Sequence, residues 1–264
     1  MDCGLYLKGM KQIINPQRFL PARCLQASQR ALATSRLLAS LRMFVLYVAI
    51  LSQLPLHAQD TQRWRDSLTV LNKLIATSKW STDLHLRKAT ANLELKQWQY
   101  AVDEYALVLQ HEPRNPAALF YRAYANTHLR RFDMARNDLN DLLIFLPRHF
   151  EARLSLAVVL QQMGRKQDAL DQLNQAIEMH TDSAVAYAAR ANLERDMKLD
   201  DAALYDWRRA ELLAPRDPLY VVSHVDLLLV LERREEARRV LDDAVRRGIP
   251  RGMLNEWFQK TKRR

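Results

Sequence analysis

YRAYANTHLRRFDMARNDLNDLLIFLP, Tyr121 to Pro147, is apolar at helical spacing, carries an arginine among its core positions and closes on a proline. Similar letters return in the same order further along. A shift of 34 residues brings Ala101, Ala135, Ala169, Ala203 and Ala237 into one column. A second column holds Ala89, Ala123, Ala157, Ala191 and Val225, and a third Tyr105, Leu139, Leu173, Trp207 and Leu241. Leu95, Leu129, Met163, Met197 and Leu231 form a fourth, and Pro113, Pro147 and Pro215 stand at the close of three units. A fixed period sustained without insertion is the mark of a repeat architecture.

Each column has a physical task. Apolar residues three and four apart make one face of a helix, and every unit contains two such stretches. Small residues in the first two columns let the paired helices approach; a large side chain there would force them apart at about 1–3 kcal/mol. The proline ends the second helix, because it lacks an N–H and fixes φ. Helix, tight turn, helix is therefore the predicted unit, over 82–115, 116–149, 150–183, 184–217 and 218–251.

Composition agrees. Only 5 of 264 residues are glycine, and alanine, leucine and arginine dominate, all residues that lose little on entering a helix. No alternating run rich in Val, Ile and Thr predicts a strand. The net charge of +10 sits mostly outside the repeats. Lys8, Lys11, Arg18, Arg23, Arg30, Arg36 and Arg42 face a single acid, Asp2, before residue 59, and Lys260, Lys262, Arg263 and Arg264 end the chain. The repeats are close to neutral, so no phosphate-binding groove is indicated and nucleic acid is not expected as a partner.

The arrangement resembles the tetratricopeptide repeat (TPR) family over about 170 residues. In its pattern Leu119 and Tyr187 take the large position 4, Gly164 takes position 15, Trp98 and Phe132 take position 17, and Ala176, Ala210 and Ala244 take position 27. Asn92, Asn126 and Glu194 depart from the aromatic at position 11, and Lys166, Asp200 and Arg234 from the tyrosine at 17. The resemblance implies an all-α, right-handed α-solenoid of antiparallel helix pairs. Arg122 occupies position 7, where the pattern has leucine, and Asp138 occupies position 23 on the facing helix. Arg190 with Asp206 repeats this, and Lys88 with Glu104 is a looser copy. Leu156 faces the uncharged Gln172, and His224 faces Val240. Charge at both places or at neither predicts ion pairs within each repeat.

The ends differ from the middle. Met43 to Asp60, MFVLYVAILSQLPLHAQD, has an apolar run too short to span a bilayer, then a proline and a small residue. It reads as a secretory signal cut after Ala58, with translation starting near Met43 and a periplasmic or secreted product. A mitochondrial-type presequence or an ordinary buried helix, hence a cytoplasmic chain, are the alternatives. Residues 59–81 match a second helix without its first, with Leu68, Leu71, Leu74 and Ile75 at helical spacing, and predict an N-terminal cap. Met253, Leu254, Trp257 and Phe258 within 252–264 predict a C-terminal one, since solenoid ends need covering. The basic tail leaves contact with a membrane surface as a further role.

No His-Glu-x-x-His, Walker-type glycine loop or Gly-x-Ser-x-Gly occurs, and no two histidines lie four apart, so neither an enzyme nor a metal or cofactor is expected. What remains is a surface. The resemblance implies that first helices line a concave groove through positions 2, 5, 9, 12 and 13. These are Phe120, Tyr124, Thr127 and His128; Leu154, Val158, Gln161 and Gln162; and Val185, Ala188, Asn192 and Arg195. Such a groove suits an extended peptide or a helix of another protein. The family's carboxylate clamp needs lysine and asparagine where Leu86 and Thr90 stand, so binding of that kind is not expected. The alternatives are a self-association module forming homo-oligomers and a basic-tail adaptor for membrane or nucleic acid.

Overall fold

A computed structural model describes residues 60–262. These residues are helical throughout, and the leader reading of residues 1–58 lies outside them. The helices are α1 (residues 60–77), α2 (Thr82–Glu94), α3 (Trp98–His111), α4 (Pro116–His128), α5 (Phe132–Phe145), α6 (Phe150–Gln162), α7 (Lys166–Met179), α8 (Ala184–Asp196), α9 (Asp200–Leu213), α10 (Pro218–Val230), α11 (Arg234–Arg246) and α12 (Asn255–Lys260). A 3-10 turn, Arg251–Leu254, precedes α12.

The helix boundaries follow from two recurring caps. Ser81, Asn115, His149, Ser183 and Asp217 each accept a backbone N–H of the first turn of α2, α4, α6, α8 or α10 through the side chain. Such a cap satisfies a donor that the helix itself cannot, worth about 1 kcal/mol. The turn after each of these helices is a Schellman motif: Gln97, Arg131, Arg165, Leu199 and Arg233 donate to the carbonyls of Asn92, Asn126, Leu160, Glu194 and Leu228 at 2.8–2.9 Å. The residue before each donor has positive φ: Lys96 (57°), Arg130 (58°), Gly164 (77°), Lys198 (65°) and Glu232 (58°). One of these five is glycine; the other four hold a left-handed conformation that costs an L-residue about 1–2 kcal/mol.

Two compact units divide between Glu104 and Tyr105, within α3. In the first, α1 buries only Leu71, leaving Leu74 and Val70 exposed. It borders a groove of about 910 Å³ whose walls include Trp64, Val70, Leu71 and Leu74, with Arg87 and Thr90 from α2.

In the second unit, α4 to α11 pack each on the next in sequence order, and α12 closes on α10 and α11. The first helices also touch one another, α4 on α6 and α6 on α8. The alanine columns sit in the seams: Ala135, Ala169, Ala203 and Ala237 have no exposed surface, and Leu139, Leu173, Trp207 and Leu241 are buried beside them. Leu254 and Phe258 are buried at the C-terminal end, whereas Met253 is exposed. The guanidinium groups of Arg238 and Arg251 lie over the Phe258 ring, 4.8 and 4.1 Å from its centre.

Candidate functional site

Polar side chains inside the helix pairs form one set. Arg122 donates to Asp138 from Nε at 2.9 Å and from Nη2 at 2.5 Å. Arg190 does the same to Asp206, at 2.6 and 2.9 Å, and its Nη1 reaches Asn174. Lys88 lies 2.6 Å from Glu104, which also holds His85 Nδ1 at 2.8 Å. The carboxylates are buried while the basic groups keep part of their surface in solvent.

Position 11 explains its own departures from the family pattern. Asn126 adds a side-chain hydrogen bond to Asp138, and Glu194 lies 3.8 Å from Arg190. Polar residues stand at this position in the three units with a charged pair, and Leu160 and Leu228 stand there in the two without. At Asn126 and Glu194 the polar residue thus belongs to the ion-pair set, where an aromatic ring would strand the charges.

Burial raises the pKa of the Asp138 carboxyl, against the pull of Arg122. Burial first, and then the like charge of Asp206, push Glu194 up to about 7, with Arg190 opposing. The hydrogen bonds that Arg190 donates to Asp206 raise the pKa of its guanidinium.

One buried cluster escaped the reading of each repeat as self-contained. His224, which the repeat alignment sets opposite Val240, instead engages Glu211 of the preceding unit, Nδ1 to Oε1 at 2.7 Å. Arg247, after α11, reaches the other oxygen of Glu211 at 2.8 Å. One carboxylate on α9 therefore binds the last helix pair at two points.

The second set is the face of the first helices. Position 5 is not open surface: Phe120, Leu154 and Ala188 are buried. Phe120 packs between the rings of Tyr121 and His149, at 5.3 and 5.6 Å. Tyr124, Thr127, His128, Val158, Gln161, Val185, Asn192 and Arg195 remain partly open to solvent, and Gln162 is exposed. Tyr124 meets His128 edge-on at 4.7 Å, and the Thr127 hydroxyl donates to the Ala123 carbonyl. Gln161 bridges from α6 to Asp196 at the end of α8, 2.8 Å, so these helices present adjoining faces. The same positions on α10 hold Leu219, Val222, Asp226, Leu229 and Val230, a more apolar strip absent from the sequence-based site. Its signal was α10 itself, which is apolar on nearly every side.

Among the described residues no group of His, Cys, Asp and Glu is placed to hold a metal ion, and no helix is long and apolar enough to cross a membrane. The surface offers aromatic, aliphatic and amide groups.

No family model matches the chain. A protein of Dictyostelium discoideum described as a DnaJ homolog subfamily C member 7 homolog is 26% identical over 149 residues, 56% of this chain and 27% of that protein. The chain thus spans about a quarter of that relative's length. A tetratricopeptide repeat protein from Parabacteroides merdae ATCC 43184 superposes with a TM-score of 0.58 at 18% identity, covering 79% of this chain and 98% of its own. The MamA protein superposes at 0.55 with 20% identity, covering 63% and 91%. Consecutive antiparallel helix pairs with a 34-residue period, and the likeness to these structures, show that the chain has the tetratricopeptide repeat fold.

Proposed function

We propose that the chain is a non-enzymatic protein-interaction scaffold that holds a peptide or helix of a partner protein against its first helices. The observation that carries this reading is the strip of Tyr124, Val158 and Val185. These side chains stay partly open on α4, α6 and α8, while the sides of the same helices that face their pairs are sealed. Apolar groups flanked by Asn192, Gln161 and Thr127 give a groove that buries apolar surface and sets register by hydrogen bonds. Residues 43–58 support a periplasmic or secreted place of action, read from sequence alone.

The test compares wild type with Tyr124→Ala/Val158→Asp in co-purification through a C-terminal tag after crosslinking in cells, with melting temperature as the folding control. Loss of one recovered partner at unchanged melting temperature supports the groove. Identical recovery by both proteins rejects it.

Self-association is the second reading, and one observation favours it. The outer faces of α5 and α9 expose Met134, Ile144, Tyr205 and Leu212. Mass that rises with concentration in light scattering would decide for it.

A further inference from the structure

The α10 strip deepens this reading and rests on it. α10 buries Tyr220, Val221, Val225, Leu227 and Leu228 on one side, yet its other side shows Leu219 and Val230, 39% and 77% exposed, with Val222 and Leu229 partly open between them. A helix apolar all round has both faces covered in its working state. Asp226 interrupts the strip near its middle. Its Oδ1 accepts the Trp257 indole N–H at 2.8 Å and lies 3.9 Å from Lys260 Nζ, which is itself held at 2.8 Å by Glu256. Among the described residues no side chain bonds Oδ2, and the carboxylate is 44% exposed. Trp257, on α12, walls this end.

We infer that the α10 strip is the anchoring subsite of the groove, and that it takes an apolar segment of the partner protein carrying one lysine or arginine opposite Asp226. The charge selects among occupants. A second copy packed on the strip about a twofold axis would bring Asp226 against Asp226 while the neighbouring cation, Lys260, is engaged by Glu256 at 2.8 Å, a repulsive arrangement. An apolar segment with a central cation fills both flanks and pairs the open oxygen.

The experiment uses fluorescence anisotropy of the full chain with three labelled helical Leu/Ala peptides that carry a single central lysine, glutamate or norleucine. The lysine peptide is expected to bind about fivefold tighter than the glutamate peptide, as for a half-exposed ion pair. Asp226→Asn retains the Oδ1 acceptor for Trp257 and is expected to abolish that preference. Val230→Asp, at a position too exposed to affect folding, is expected to weaken all three by about tenfold. Equal binding of lysine and glutamate peptides, or binding indifferent to Val230→Asp, overturns the inference. If such binding is still lost in Tyr124→Ala/Val158→Asp, the groove reading stands without this subsite. Absence of binding by every probe also overturns it. So does a dimer in sedimentation that Val230→Asp dissociates, which would make a second copy the occupant.

Discussion

Arg190 on α8 holds Asp206 on α9 through two parallel hydrogen bonds of 2.6 and 2.9 Å, and the carboxylate is 1% exposed. An ion pair so placed is costly to break and cheap to replace. Asp206→Asn is expected to destabilise the fold by about 1–3 kcal/mol, because the part-buried guanidinium of Arg190 loses its paired carboxylate and keeps only Glu194, 3.8 Å away. Arg190→Leu/Asp206→Leu, which copies the apolar and uncharged choice of Leu156 and Gln172, should recover most of that loss. Urea unfolding of Arg190→Leu, Asp206→Leu and the double variant measures the coupling.

Glu194 gives the stability a pH dependence of definite sign. Its folded pKa is raised from 4.5 to about 7, so its favourable contribution is complete below pH 4.5 and is lost as pH rises through about 7. Glu194→Gln, which stays neutral, is therefore expected to exceed wild type by roughly 2–4 kcal/mol at pH 8. The difference should close below pH 5. A difference of the same size at both pH values would mean that Glu194 is not neutralised by folding.

The left-handed turns offer a backbone test. Lys96, Arg130, Lys198 and Glu232 occupy the conformation that Gly164 holds in the third repeat. Replacing Arg130 or Lys198 by glycine is expected to raise stability by about 0.5–1 kcal/mol per site, the left-handed penalty less the entropy that glycine loses. Gly164→Ala should cost a similar amount. A methyl group there would meet nothing within 4 Å, so any loss is conformational. Thermal melts of the three variants check the ranking.

The C-terminal cap should matter to the whole stack. Phe258→Ala removes a ring that is 2% exposed, at an expected cost of about 3–5 kcal/mol. Trp257→Phe loses the indole bond to Asp226 and weakens the ring's contact with Lys260, and should cost about 1 kcal/mol. Hydrogen exchange in α10 and α11 should rise far more in the first variant than in the second.

The repeat was legible because its signals are local. Ala135, Ala169 and Ala203 must be small wherever two helices approach, so they recur with the period of the chain. The partners Arg122 and Asp138 lie in one repeat at a constant offset, which exposes them to the same comparison. His224 with Glu211 crosses from one repeat to the next, and no column within a repeat contains it. Phe120, Leu154 and Ala188 lie on the border between groove and seam, where position along a helix does not decide which neighbour covers a side chain. The N-caps from Ser81 to Asp217 form a column as regular as the alanines. They were hidden because serine, asparagine, histidine and aspartate share an acceptor atom rather than a size.

The most direct measurement places a photo-crosslinking amino acid at Val158, on the first-helix face, and separately at Ile144, 79% exposed on α5. Each protein is irradiated in cells. A partner captured at Val158 and not at Ile144, and no longer captured when Tyr124→Ala is added, is the predicted result. Capture at Ile144 alone, or at Val158 only of a second copy of the same chain, would contradict the account.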